Sequence, residues 1–282
     1  MLPFHGKIDF GEILLASDAD GTLLTDDKRI LDIDKAAIRE FRALGGLFTI
    51  ATGRGVTYAR PIADELELDI PAVIFNGAAV YDFRRNEFLW RCALPDRAIE
   101  HIMHFVERFP SVGVEILRGD EVYVVKSSAR EEEHVTYGGM NPVRCAIDDV
   151  PRDGWIKTLL ADEAHVIDGV TDFAKCLKIN DLHMVRSGPY YFEILPYGVN
   201  KGGALEKLIE ISGFDGRYLV AVGDFMNDLE MLRMADVKIA VSNAEEVVKA
   251  EAELIVCDNN SGAISEIVEF LKKGLLQKLS LM

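Results

Sequence analysis

The stretch Ile13-Leu14-Leu15-Ala16-Ser17 runs straight into Asp18-Ala19-Asp20-Gly21-Thr22. A short apolar run of this kind is a buried strand. That this one ends in two carboxylates constrains the fold more than any other feature. Residues i and i+2 of an extended chain point to one side, so Asp18 and Asp20 face one site and Ala19 points away. Gly21 allows an immediate sharp turn. Two like charges this close repel unless a divalent cation or a shared proton lies between them.

Strands and helices alternate on either side of a differently patterned middle. Strands are expected at 13–17, 47–51 and 71–75, then at 218–222, 237–241 and 254–257. Helices are expected at 34–44, 56–66, 201–211, 227–234, 245–250 and 263–272. Such alternation implies right-handed crossovers and a parallel sheet covered on both faces. The middle has hairpin character. Strands at 112–117 and 121–126 flank Arg118-Gly119-Asp120, and further strands are expected at 156–160, 177–185 and 190–195. Arg186 to Pro189 is expected to be a turn, and helices are expected at 95–109 and 164–175. The expected division is a core from 1–81 and 195–282, with 82–194 inserted as a second, α+β domain. Asn76-Gly77 and Pro196-Tyr197-Gly198 would join the two as hinges.

Asp18, Thr52 and Asp224 each lie at, or just past, the C-terminal end of an expected strand. In an open parallel sheet those ends gather along one edge, where ligands bind. Three distant motifs are therefore brought into one crevice, Asp18 to Leu24, Ala51-Thr52-Gly53-Arg54 and Gly223-Asp224-Phe225-Met226-Asn227-Asp228, and a fourth, Pro196 to Gly202 with Lys201, stands between the last two in sequence. In chain order they resemble the four motifs of the haloacid dehalogenase superfamily, in its Cof-type sugar-phosphatase branch. The resemblance spans nearly the whole chain. One departure is Ala19, where family members usually carry a larger apolar residue. The resemblance implies a Rossmannoid α/β core and an inserted cap of the C2B type over the site.

It also implies roles. A phosphate monoester is a dianion, so catalysis needs a positioned nucleophile and neutralised oxygens. Asp18 would attack phosphorus and form an aspartyl phosphate. Asp20 would act as acid and then as base. Magnesium would be held by the Asp18 and Asp224 carboxylates and the Asp20 carbonyl. Thr52, Gly53, Lys201, Asn227 and the Ala19 backbone would bind phosphate, and Asp228 would hold Lys201 or a metal-bound water. The expected partner is a small phosphorylated metabolite, a sugar phosphate first of all. A phosphomannomutase-like phosphomutase and a non-catalytic phosphate-binding regulator are the alternatives. A dehalogenase has no need of Asp20.

Charge narrows the partners. The chain has 47 Asp+Glu against 31 Lys+Arg, a net of -16, which opposes nucleic-acid binding. The middle offers no basic module, with 20 acidic and 14 basic residues between 82 and 194. No apolar run approaches the ~20 residues of a membrane span, and Met1 to Phe10 does not resemble a signal peptide. Cys92, Cys145, Cys176 and Cys257 form no CxxC pair and fit a reducing cytoplasm. Other features have plainer readings. Arg54 divides between a substrate contact and a surface ion pair. Thr52 could be a helix N-cap. His101 and His104 lack an evident third ligand. Glu131-Glu132-Glu133 is expected to be a solvated face. Trp90 and Trp155 are expected to pack in cores or hairpins.

Overall fold

A computed structural model describes residues 9–137, 140–177 and 179–274. The expectation for Met1 to Phe10 falls mostly outside these residues, as does position 178 of the strand expected at 177–185.

The chain opens with β1 (Ile13–Ser17), every residue of which is buried, as a strand covered on both faces requires. It continues through α1 (Asp32–Ala43), β2 (Leu47–Ile50), α2 (Val56–Glu65) and β3 (Ala72–Ile74). A hairpin follows, β4 (Ala79–Asp82) and β5 (Glu87–Arg91). The insert contains α3 (Ala98–Arg108), β6 (Gly113–Arg118), β7 (Glu121–Lys126), α4 (Ala129–Tyr137), β8 (Val143–Arg144), β9 (Trp155–Ala161), α5 (Ala164–Cys176), β10 (Leu182–Gly188) and β11 (Tyr191–Pro196). The chain then resumes its alternation with α6 (Lys201–Ser212), β12 (Tyr218–Gly223), α7 (Leu229–Met234), β13 (Val237–Val241), α8 (Glu246–Glu251), β14 (Leu254–Val256) and α9 (Ala263–Lys272).

The core sheet has the order β14-β13-β12-β1-β2, all parallel. β1 lies inside it, between a strand close in sequence and one made after the insert. The third expected strand is shorter than 71–75. β3 touches β2 through a parallel Ala51–Val73 bridge, with the Thr52 N–H donating to the Val73 carbonyl at 2.9 Å. It then carries β4 and β5 in antiparallel register. This hairpin runs past the boundary expected at 82, and β11 crosses the one expected at 194. The insert's own sheet has the order β10-β11-β9-β6-β7-β8.

Three local expectations are corrected. The strand placed at 177–185 begins at Leu182, because α5 runs to Cys176 and Leu177 caps it. Arg186-Ser187-Gly188 is strand, bulged against β11, and the turn falls after it. Glu131-Glu132-Glu133 lies on helix α4, and Glu131 is fully buried while Glu132 and Glu133 are exposed. Consecutive helical residues are about 100° apart, so one of three can face inward.

Two apolar clusters fill the molecule. One is confined to the insert and holds Phe105, Trp155 and Phe192. The other surrounds the core sheet and also takes in Leu117, Ile156, Leu159 and Leu195 from the insert. The insert is thus docked on the core through shared apolar packing. Trp155 is buried and its indole N–H donates to the Pro151 carbonyl at 2.6 Å, a packing role as expected.

Candidate active site

Asp18 extends β1 by one residue, its N–H donating to the Val222 carbonyl of β12 at 3.0 Å. Asp224 follows β12 directly, so the two carboxylates arrive side by side from neighbouring parallel strands. Gly21 has φ +84°, and a Cβ there would lie 2.5 Å from Asp224 Oδ2, so only glycine permits this approach. The Thr22 hydroxyl donates to Asp224 Oδ1 at 2.8 Å. Lys201 is the first residue of α6, whose N-cap Asn200 accepts from the Gly203 N–H at 2.8 Å. That start places the ammonium between Asp18 Oδ1 at 2.5 Å and Asp228 Oδ1 at 2.6 Å, with the Lys201 side chain buried.

Asp228 has its other oxygen engaged as well. Oδ2 accepts from the Asp224 and Phe225 N–H groups at 2.9 and 3.1 Å. It is a strut that fixes both Lys201 and the loop after β12. Asp18, Asp224 and Asp228 nevertheless bring oxygens within 4.8 Å of one another. Burial pushes the Asp18 carboxyl well above its usual range; Lys201 opposes this, while Asp228 and Asp224 add to it. Burial and the Asp228 charge push Asp224 up to about 7. Burial would lower Lys201, but the charges of Asp18 and Asp228 outweigh it and raise it. Three crowded carboxylates and one ammonium leave an excess of negative oxygen. Such a donor set fits a hard divalent cation, with Asp18 and Asp224 the carboxylates whose oxygens are least committed to N–H donors.

Asp20 stands apart from this group. Its carboxylate takes a bidentate pair from Arg54, at 2.7 and 2.8 Å, and a third contact from Lys28 at 2.8 Å. Burial alone would raise the Asp20 carboxyl, yet the Arg54 bonds and charge, with Lys28, hold it well below the usual carboxylate range. Arg54 is thus paired within the site. Thr52 is buried and its hydroxyl accepts from the Arg54 N–H at 3.2 Å, so it organises the loop before α2. It is not the helix cap; Gly55 is. Ala19 is buried, its carbonyl accepting from Leu23 and Leu24.

Sequence reasoning undervalued the turn after β3. Phe75 and Asn76 both have positive φ, +54° and +52°, and Gly77 has +94°. The turn is buried and bound on several sides. Phe75 N–H donates to the Arg54 carbonyl at 2.9 Å and Asn76 N–H to the Thr52 carbonyl at 3.0 Å. A Cβ on Gly77 would fall 2.1 Å from the Asn200 carbonyl oxygen. The Asn76 side chain accepts from Asn227 Nδ2 at 2.8 Å. This segment therefore touches three of the four motifs, where only a hinge was expected. From the insert, Lys157 Nζ reaches the Gly53 carbonyl at 2.7 Å and pairs with Glu193 at 3.0 Å. Both interrupt apolar strands, Trp155–Ala161 and Tyr191–Pro196, and a charge in such a run was the signal available. His101 and His104 share a helix face, ring centroids 6.4 Å apart, but join no metal-ligating group among the described residues.

The family profile described as haloacid dehalogenase-like hydrolase matches residues 15–268. A Bacillus subtilis relative, the 5-amino-6-(5-phospho-D-ribitylamino)uracil phosphatase YcsE, is 28% identical over 255 residues, covering 90% of this chain and 94% of its own. The pyridoxal phosphate phosphatase YbhA of Escherichia coli is 27% identical, with 90% and 97% covered. Among solved structures, the subclass IIB sugar phosphatase BT4131 superposes with a TM-score of 0.80 at 21% identity, covering 92% of this chain and 98% of that one. The shared fold includes the core and the insert. No helix among the described residues is long and apolar enough to cross a membrane.

Proposed function

We propose, for a chain that belongs to the haloacid dehalogenase-like hydrolase family and is a phosphatase, that it hydrolyses small phosphorylated metabolites of the sugar-phosphate class with magnesium, through an aspartyl phosphate on Asp18. One observation carries this reading. Lys201 binds a single oxygen of Asp18 and is itself held by Asp228, with Asp224 alongside. That leaves the second Asp18 oxygen as the nucleophile.

In the first half-reaction Asp18 attacks phosphorus, the bond to the leaving oxygen breaks, and that oxygen takes a proton from Asp20. Arg54 and Lys28 hold Asp20 ionised in this state. Asp20 can carry a proton only once that grip loosens, and an arriving phosphate dianion gives both cations a second anion to bind. In the second half-reaction Asp20 takes a proton from water, which attacks the aspartyl phosphate and releases inorganic phosphate. The Ala19 and Gly53 N–H groups, the Thr52 hydroxyl, the Asn227 amide and Lys201 would bind the phosphoryl oxygens. Magnesium, held by the Asp18 and Asp224 carboxylates and the Asp20 carbonyl, would supply the positive charge that this acidic cluster lacks. The relatives named for a ribityl phosphate and for pyridoxal phosphate support a small phosphomonoester as substrate. The free thiols of Cys92, Cys145, Cys176 and Cys257 suit a reducing cytoplasm.

The test is phosphate release from a panel of sugar phosphates and other monoesters, with magnesium and with chelator. Release should require magnesium, and folded Asp18→Asn should lose about 10³ or more in kcat. Full turnover in excess chelator, or by Asp18→Asn, would overturn the mechanism.

A further inference from the structure

A buried chain of polar side chains runs from the insert to the loop after β12, and it fixes which way each amide points. Glu193, on β11, accepts from Lys157 Nζ at 3.0 Å and from the Ser187 hydroxyl at 2.9 Å through Oε1. Through Oε2 it accepts from Asn76 Nδ2. A carboxylate only accepts. The Asn76 amide must therefore turn its nitrogen to Glu193 and its oxygen the other way. That oxygen in turn demands a donor, so Asn227 must offer Nδ2, as it does at 2.8 Å. An amide nitrogen has two hydrogens. One is engaged by Asn76 and the second remains for another acceptor.

We propose that Glu193, supported by Lys157, is a positioning residue that fixes the amide orientation of Asn227 through Asn76 and so couples docking of the insert to phosphate binding. The inference rests on the reading of Asn227 as a phosphate contact. Several features favour it over simple packing. Both members of the Lys157–Glu193 pair are about 5% exposed, and such a pair is an expensive way to fill space. Lys157 also holds the Gly53 carbonyl at 2.7 Å, so both ends of the pair reach phosphate-binding loops. The amide between them is locked on a backbone with positive φ, a conformation that asparagine tolerates better than most residues. When the insert lifts away, Glu193 leaves with it and Asn76 loses the partner that sets its orientation.

The experiment measures the inhibition constant of inorganic phosphate, with kcat and KM on nitrophenyl phosphate, for Glu193→Gln, Asn227→Ala and the double variant. Lys157 only donates, so a glutamine keeps its oxygen on Lys157 and turns its nitrogen to Asn76, which no longer finds an acceptor for Nδ2 there. Each single variant should weaken phosphate by roughly tenfold, about the worth of one hydrogen bond, and the double variant should lose little more. If Glu193→Gln folds poorly, replacing the pair together as Lys157→Met and Glu193→Leu removes the relay without leaving a lone buried charge, and the same pattern is expected. A merely structural Glu193 would lower Tm without changing the phosphate constant of the folded protein. An unchanged constant in Glu193→Gln beside a weakened one in Asn227→Ala, or fully additive losses, overturns the relay alone. A wild-type constant in Asn227→Ala overturns both the relay and the reading of Asn227.

Discussion

At Lys201 one buried ammonium lies between two carboxylates, with a third beside them. Lys201→Met should lower turnover by about 10³, since it removes a charge aimed at the reacting phosphate. It should also destabilise the fold by ~3–5 kcal/mol by leaving buried carboxylates without their cation. The loss should depend on pH. Without Lys201, Asp18 holds its proton to still higher pH, so the folded state binds more protons than the unfolded one and stability falls as pH rises. Thermal unfolding should show a larger Tm deficit at pH 8 than at pH 5.5, and an equal deficit would contradict this account. Asp18, Lys201 and Asp224 were legible because each stands in a motif at a strand or helix end. The partner of Asp20 was not. A sequence cannot tell whether Arg54 turns to solvent or to a carboxylate 34 residues away, because a long flexible side chain reaches either.

Elements were legible where hydrophobic period and turn chemistry agreed. The β1 and β12 strands and helices α6 and α9 fall close to their expected positions. The β4–β5 hairpin was missed because its turn relies on Asn86 at φ +57° rather than on a glycine. Helix α4 was missed because a run of three glutamates looks solvated until the inward face is known. Burial pushes Glu131 up to about 6, and the neighbouring Glu115 charge adds to it. A raised carboxyl favours folding while protonated. Its contribution is therefore present below the ordinary value of 4.5 and is lost as pH rises through about 6. Glu131→Gln should raise Tm at pH 7.5 and change it little at pH 4.5. A lower Tm at pH 7.5 would mean that the Arg144 contact at 3.7 Å matters more than burial.

For the whole molecule, parallel alternation and its interruption by hairpins were readable, but the seam between core and insert was not. Leu117, Ile156, Leu159 and Leu195 look like ordinary alternating strand residues, and nothing in their spacing says that they pack on the core cluster. Their burial there makes docking a matter of apolar contact as well as of the Lys157 and Glu193 bonds. Leu159→Asp places an unpaired charge in the seam and should hold the insert away from the core. Turnover of sugar phosphates should fall tenfold or more, roughly the effect of losing the contacts that orient the leaving group. An activated nitrophenyl ester, which depends less on those contacts, should lose less. Circular dichroism should show the strand and helix content unchanged. Equal losses on both esters would argue that the insert does not select the leaving group.

The place of β1 between β2 and β12 also sets an order of assembly during synthesis. The insert's sheet is contiguous, from Gly113 to Pro196, and all of its strands are synthesised before β12. β1 emerges first yet waits for Tyr218–Gly223 to supply its second neighbour. A nascent chain halted before that point carries Asp18 without Asp224 or Asp228, and bears an open strand edge, the kind of surface that misassociates. The catalytic set is complete only once Asp228 has been made, after the whole of the insert.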